Sequence, residues 1–238
     1  MTNQRSAPLL REIWRRLTVG LWLKAFGIPG FIAVFFLGYF LILNSPLFEV
    51  TTMPSTWLDR CIPYFPGAWV LYVSLWFYVQ IPPLLVDSRR ELFLYGAVAA
   101  LVSLVGFAFF VFWPTAVPVV AVDDQGTLAG IRGLDTTGNS CPSLHVAFSV
   151  FTAVWIEEQL RRSARFGWLR WVNFVWCLGI VYSTLGTKQH VFLDVLPGAL
   201  LGMAGGWLDS FLSRRIRVAV TDNALPGLSQ ISPAARKL

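Results

Sequence analysis

Long apolar segments, separated by shorter polar stretches, dominate the sequence and predict helices that cross a membrane. Each segment is close to the roughly 20 residues that a helix needs to cross the hydrocarbon core of a bilayer. We predict six spans, at about residues 25–44, 67–86, 92–113, 142–157, 168–187 and 190–212. An even number of spans places both termini on one side of the membrane. The pattern therefore predicts an all-α integral membrane protein with six transmembrane helices.

The segment before the first span has a different pattern, in which arginines alternate with apolar side chains. Within residues 8–17, leucine, isoleucine and tryptophan recur at helical spacing against three arginines. This pattern is typical of an amphipathic helix on a membrane surface, because arginine stems lie along apolar surface while their charged groups stay in water. We predict that the chain divides into a cytoplasmic amphipathic segment (1–24), a six-span membrane domain (25–212) and a basic cytoplasmic tail (213–238).

Composition supports a membrane protein, and the distribution of charge sets its orientation. Only 13% of the residues are charged, whereas soluble proteins contain roughly 25%. Sixteen of the 19 lysines and arginines fall on the side of the termini, and only Arg60, Arg132 and Lys188 fall on the other. Basic flanks favour the cytoplasmic side, so we predict cytoplasmic termini and a plasma or inner membrane location. These flanks account for the net charge of +6, and we expect no nucleic-acid partner.

The two histidines of the chain, His145 and His190, each stand at the start of an apolar segment. The predicted orientation places both of them on the extracytoplasmic side. Asp194 follows His190 by four residues, and side chains at this spacing share one face of a helix. The carboxylate is therefore expected to accept a hydrogen bond from one ring nitrogen and to leave the other as a base or nucleophile. Lys188 places a cation beside this pair.

The residues before His145 predict an anion site at the start of a helix. Pro142 suits the first helical turn, where its missing N–H costs nothing. The backbone amides that follow, together with Ser143, suit an anion. An anion site, a proton donor, a His–Asp pair and a lysine together indicate phosphoryl transfer through a covalent phosphohistidine. The sequence has no dense carboxylate cluster of the kind that binds magnesium, so we expect neither a metal nor another cofactor.

These residues resemble a known family. Pro142-Ser143-Leu144-His145, followed by Ser183 and then by His190-x-x-x-Asp194, is similar to the second and third motifs of the type 2 phosphatidic acid phosphatase superfamily. The resemblance covers roughly residues 59–205 and includes the six-span layout. It extends to Asp59-Arg60-x-Ile62-Pro63 and Phe112-Trp113-Pro114-Thr115, which resemble stretches in one branch of the superfamily.

The resemblance implies a role for each matching residue. His190 would be the nucleophile that takes the phosphoryl group, and Asp194 would orient it. His145 would protonate the leaving oxygen and later activate the acceptor, and Ser143 would help to hold the phosphate. The implied substrate is a phosphorylated membrane lipid that stays partly in the bilayer.

The chain departs from the family pattern where the family places cations. Thr184 stands where the third motif usually has arginine, and Val119 follows Pro118 where related sequences often have arginine. Lys188 is our first substitute for these cations and Arg132 is the second.

These departures leave two alternatives to a lipid phosphatase. Inositol phosphorylceramide synthases also have a similar Pro-Ser-Leu-His and His-x-x-x-Asp without the serine–arginine pair, which favours a phosphotransferase that passes a phospho-headgroup to a lipid alcohol. A catalytically inactive relative is the other alternative, because two motif cations are missing. A further hypothesis concerns Cys61 and Cys141, which are both predicted outside and would be able to form a disulfide in an oxidising compartment.

Overall fold

The computed structural model describes residues 7–118, 138–162 and 167–224 of the chain. These residues are mostly helical, as the apolar pattern predicts. The helices are α1 (Ala7–Thr18), α2 (Leu21–Asn44), α3 (Trp57–Cys61), α4 (Ala68–Tyr78), α5 (Ile81–Leu85), α6 (Arg89–Phe112), α7 (Leu144–Arg161), α8 (Gly167–Gly186) and α9 (Phe192–Ala224). Two short parallel strands, β1 (Thr51–Thr52) and β2 (Thr115–Ala116), pair with each other.

Four helical stretches are long and apolar enough to cross a membrane, in agreement with four of the six predicted spans. They are Leu21–Asn44, Ala68–Leu85, Arg89–Phe112 and Phe192–Val218. The second stretch consists of α4 and α5, and the break lies just before Pro82 and Pro83, since proline supplies no backbone N–H to a helix. The other two predicted spans coincide with α7 and α8, which carry charged residues such as Glu157 and Arg170. That these two helices also cross the membrane stays a prediction.

The two ends of the helix bundle differ in their charged residues. At one end, Arg15 of α1 donates a hydrogen bond to Asp87 (2.9 Å) and Arg217 of α9 pairs with Glu91 of α6 (2.5 Å). The opposite end holds both histidines, at the start of α7 and just before α9. We call these the arginine end and the histidine end. Helix α1 lies within the amphipathic segment, and its position on a membrane surface stays a prediction.

Helices α7 and α9 pack closely, because glycines on α9 let the two backbones approach. A Cβ atom on Gly198 would lie 2.4 Å from the Ser143 carbonyl oxygen, and one on Gly202 would lie 2.3 Å from the Ala147 carbonyl oxygen. No side chain fits at such distances, so these positions require glycine. Small residues serve the same purpose between helices in membranes. This packing brings the first turn of α9 beside the start of α7.

The proposed disulfide between Cys61 and Cys141 is wrong. Both cysteines are unpaired, and they lie in different environments. Cys61 is exposed at the end of α3, whereas Cys141 is buried in an apolar cluster that includes Met53 and Val191. Burial raises the pKa of the Cys141 thiol to about 11, which disfavours the reactive thiolate.

Candidate active site

His190 and Asp194 form the predicted pair at the histidine end. The Nδ1 atom of His190 lies 3.1 Å from Oδ2 of Asp194, and the two side chains are 6% and 0% exposed. Helix α9 begins only at Phe192, so His190 precedes the helix and reaches the carboxylate across its first turn. The contact follows the predicted spacing although only Asp194 is helical.

This hydrogen bond fixes the tautomer of the His190 ring. A carboxylate accepts and cannot donate, so Nδ1 carries the hydrogen and donates it to Asp194. The lone pair of the neutral ring is therefore on Nε2, the nitrogen suited to attack an electrophile. The carboxylate also stabilises positive charge that develops on the ring when Nε2 forms a bond.

His145 lies at the start of α7 and is held by the side chain and the backbone of Tyr72 on α4. The two rings stack with centroids 3.8 Å apart and an interplanar angle of 16°. Nε2 of His145 lies 3.0 Å from the Tyr72 carbonyl oxygen, so this nitrogen carries a hydrogen and Nδ1 is the position that gains and loses a proton. His145 and His190 line the same cavity.

Ser143 joins the two histidine segments through its backbone. Its N–H donates to the carbonyl oxygen of Asp194 (3.0 Å), which fastens the start of α7 to the first turn of α9. Its side chain is the N-cap of α7 and accepts from the backbone N–H of Val146 (3.3 Å). Pro142 therefore precedes the cap, and its predicted place in the first helical turn is wrong. Ser143 is fully buried, and its contact with phosphate stays a prediction.

Lys188 precedes His190 by two residues, and its ammonium group is bound to backbone carbonyl oxygens. Nζ donates to the carbonyl oxygens of Asp59 (2.8 Å) and Ile62. Burial lowers the pKa of Lys188, and the charge of Asp59 opposes this effect. An ammonium has three hydrogens, so two carbonyl contacts are compatible with a third contact to a phosphate. The second predicted cation, Arg132, lies outside the described residues.

Thr184, which stands at the arginine position of the family motif, positions His190 through its backbone. Its carbonyl oxygen accepts hydrogen bonds from the backbone N–H groups of Gln189 and His190, both at 3.1 Å. Its hydroxyl donates back to the Val181 carbonyl oxygen (2.8 Å) within α8. The side chain is buried and turned toward its own helix. Since threonine is uncharged, this position supplies no cation to the site.

Asp59 is a positioning residue that the sequence analysis did not identify. One carboxylate oxygen accepts from the backbone N–H of Phe192 (2.8 Å), the first residue of α9. The other accepts from the N–H and the hydroxyl of Thr56, both at 2.7 Å, in a capping box at the start of α3. The pattern Thr56-x-x-Asp59 predicts the local cap. Its second partner is 133 residues away, and no local pattern predicts that contact.

Thr115 fixes the segment that precedes α7. Its carbonyl oxygen accepts from the N–H of Ser140 (3.0 Å), and its hydroxyl accepts from the N–H of Cys141 (2.8 Å). Thr115 belongs to the second stretch that resembles a branch of the family. Both such stretches therefore hold the backbone next to a histidine segment.

Asn139 is a cavity residue that the sequence analysis did not single out. It lines the cavity together with both histidines, and its amide nitrogen donates to the hydroxyl of Tyr39 on α2. Its buried Oδ1 atom accepts no hydrogen bond within the described part of the chain. Leaving a buried acceptor unsatisfied is unfavourable, so this oxygen suits a ligand that donates a hydrogen bond. A single asparagine three residues before a proline gives no recognisable signal in a single sequence.

In the part of the chain that the structure describes, the acidic, cysteine and histidine side chains do not cluster as metal ligands do. Within the ranges described above, no group of three or more of them is arranged to hold a metal ion. Among the described residues, the two histidines and Asp194 are the candidates for acid–base and nucleophilic chemistry.

Comparison with known proteins identifies the family. A family model described as the PAP2 superfamily matches residues 91–215, a range that contains both histidines and Asp194. No curated protein and no solved structure matches the chain. The match covers more than half of the chain and agrees with the apolar helices of a membrane protein. The chain belongs to the PAP2 superfamily, whose members are generally phosphoester hydrolases or phosphotransferases.

Proposed function

We propose that this protein is a six-span membrane lipid phosphatase that hydrolyses a lipid phosphate or diphosphate through a phosphohistidine intermediate. The observation that carries the proposal is the 3.1 Å contact between His190 Nδ1 and Asp194 Oδ2, beside a cavity that His145 also lines. The contact directs the Nε2 lone pair of His190 away from the carboxylate and toward an incoming phosphoryl group.

The proposed reaction has two steps. In the first, His190 Nε2 bonds to phosphorus while the bond from phosphorus to the leaving oxygen breaks, and His145 Nδ1 gives that oxygen a proton. The leaving group is a lipid alcohol, or a lipid monophosphate if the substrate is a diphosphate. In the second step, His145 takes a proton from water, the water oxygen bonds to phosphorus, and the bond from His190 to phosphorus breaks to release phosphate.

Phosphate recognition in this proposal depends on few charged groups. Ser143 offers its hydroxyl, Lys188 its third ammonium hydrogen, and Arg132 its guanidinium. Lys188 precedes His190 by two residues, and the carbonyl oxygens of Asp59 and Ile62 hold its ammonium group. Charged donors are the stronger hydrogen-bonding partners for a phosphate, so Lys188 is the first candidate.

The proposed orientation places the histidine end on the extracytoplasmic side of a plasma or inner membrane. The excess of basic residues on the side of the termini supports this orientation. The contacts of Arg15 and Arg217 at the arginine end agree with it. In this orientation α7 and α8 complete six spans, and α1 lies on the cytoplasmic surface with its arginines toward water.

A lipid phosphotransferase is the second candidate, and Asn139 favours it. Asn139 lines the cavity, and its buried Oδ1 atom, which has no hydrogen-bond donor within the described residues, suits the hydroxyl hydrogen of an acceptor alcohol. The first step would be the same, and a lipid alcohol would replace water in the second. This resembles the reaction of inositol phosphorylceramide synthases, which pass a phospho-headgroup to a lipid alcohol.

An assay of phosphate release and headgroup transfer tests the proposal. The purified protein in detergent, with chelator present, is given lipid phosphates and diphosphates with or without a lipid alcohol. A variant with both histidines replaced by alanine measures contaminating phosphatases. We expect release of inorganic phosphate well above that of the variant. Transfer without release would establish the phosphotransferase instead, and equal rates in both proteins would identify an inactive relative.

The acid role of His145 predicts a dependence on the leaving group. Replacing His145 by glutamine should lower the hydrolysis of an alkyl phosphate by about 10²- to 10⁴-fold, the usual contribution of general acid catalysis. The loss should be much smaller with p-nitrophenyl phosphate, because nitrophenolate leaves without a proton. Steady-state kinetics on the two substrates measures the difference. Equal losses on both substrates would assign His145 a role in packing against Tyr72.

A further inference from the structure

A large cavity extends from the two histidines deep into the helix bundle. It lies between α2 on one side and α4, α6 and α7 on the other, and its volume is about 640 Å³. Its polar lining includes Asn139, His145 and His190 at the histidine end, and Gln80 and Tyr95 nearer to the arginine end. Toward the arginine end the walls are mainly leucine, isoleucine, phenylalanine, glycine and alanine side chains. One end of the cavity therefore suits a polar headgroup and the rest suits a hydrocarbon chain.

The length of the cavity exceeds one leaflet of a membrane. On α2 it is lined from Tyr39 near the histidine end to Leu23 near the arginine end. At 1.5 Å per residue these positions are about 24 Å apart along the helix. The hydrocarbon core of a bilayer is about 30 Å thick, so a leaflet contributes about 15 Å. A chain that fills the cavity would pass the midplane of the bilayer.

The deep part of the cavity exists because α6 presents small residues to α2. Gly96, Ala97 and Ala99 all line it. A Cβ atom on Gly96 would meet no atom within 4 Å, so this position borders open space. Gly96 is 14 residues before Phe110, which lines the cavity near the histidine end and gives a separation of about 21 Å along α6.

Contacts near both ends of the cavity hold α2 in place. Near the arginine end the buried Lys24 donates to the carbonyl oxygens of Arg16 (2.6 Å) and Leu84 (2.7 Å). Near the histidine end Phe35 packs against Phe107 of α6, with ring centroids 5.3 Å apart. The cavity between these contacts is thus part of the fold.

We infer that this cavity holds the hydrocarbon chain of the substrate inside the protein, and that the missing side chain at Gly96 keeps its deep half open to long chains. The inference rests on the proposed function and adds a substrate class to it. The preferred substrate is a phosphorylated lipid whose chain reaches beyond the bilayer midplane, with its phosphate at the two histidines. Chain lengths that end before Gly96 leave the deep half of the cavity without favourable contacts.

Replacing Gly96 by phenylalanine tests the inference. The ring would occupy the deep half of the cavity and meet the end of a long chain. We expect the ratio of kcat/KM for geranylgeranyl phosphate to kcat/KM for octyl phosphate to fall by at least about tenfold, which is the effect of losing about two buried methylene groups. A general loss of active protein lowers both kcat/KM values equally, so it does not change their ratio.

Gly30→Phe is the matched control. Gly30 lies on α2 and does not line the cavity, and a Cβ atom added there would likewise meet no atom within 4 Å. The ratio measured for this variant should equal that of the parent. An unchanged ratio in Gly96→Phe, with the protein folded by gel filtration, would show that the chain lies elsewhere.

A binding measurement separates this inference from the proposed function. If the parent releases no phosphate from any substrate, binding of geranylgeranyl phosphonate is followed by native mass spectrometry. Binding to the parent and to Gly30→Phe, with weaker binding to Gly96→Phe, would support the chain site even though the proposed function had failed. Equal binding to all three proteins would overturn the chain site.

Discussion

Replacement of His190 by alanine should abolish phosphate release, with a loss of about 10⁵- to 10⁶-fold, comparable to the loss of a covalent nucleophile in other enzymes. The variant lacks the Nε2 atom that bonds to phosphorus, and water then has to attack the lipid phosphate directly. The remaining rate would reflect binding and charge stabilisation alone. Release of inorganic phosphate from a radiolabelled lipid phosphate measures the loss.

Trapping the phosphohistidine intermediate tests directly whether His190 is the nucleophile. Rapid denaturation of the parent during turnover should yield a phosphoprotein that is stable in base and labile in acid, as expected of phosphohistidine. His190→Ala should yield none, and His145→Ala should still become labelled by p-nitrophenyl phosphate, which needs no acid. Label on His190→Ala, or substantial turnover by it, would place the nucleophile elsewhere.

Replacement of Asp194 by asparagine should lower kcat by about 10³- to 10⁴-fold, close to the loss seen when the carboxylate of a catalytic triad becomes an amide. An amide is able to donate a hydrogen bond to His190 Nδ1, which favours the tautomer with the hydrogen on Nε2. It also removes the negative charge that stabilises the ring as phosphorus bonds to it. The KM should change much less, because Asp194 is fully buried and contacts the ring.

Asp209→Asn is the matched control for this prediction. Asp209 lies on the same helix, is also buried at 2% exposure, and is 15 residues nearer to the arginine end. The substitution alters a buried carboxyl group far from the histidines, so kcat should stay close to that of the parent. Similar losses of kcat in both variants would mean that Asp194 acts through the stability of α9.

The chemistry of the site was predictable from local spacing. His190 and Asp194 are four residues apart, so their contact requires only the start of a helix, and the structure forms it across the first turn of α9. The placement of both histidines at one end followed from counting apolar segments. The start of α7 was less predictable, because Pro142 and Ser143 both favour helix starts and the serine is the cap.

The supports of the site were not predictable, because they join distant parts of the chain. Asp59 contacts Phe192, Thr115 contacts Cys141, and Tyr72 contacts His145, all across large separations in sequence. Asp59 and Thr115 lie in the two stretches that resemble a branch of the family, but the resemblance did not indicate what these residues do. The false pairing of Cys61 with Cys141 has the same origin, since sharing a side of the membrane does not imply proximity.

Asp59 supports the site although it lies outside the region that the family model matches. The family match begins at residue 91, yet the first amide of α9 and the ammonium of Lys188 both bind to Asp59. A fragment that begins at residue 91 would keep every residue to which we assign a chemical role, but it would lose the acceptors that hold the loop carrying His190. The smallest autonomous piece of this chain therefore has to begin upstream of α3.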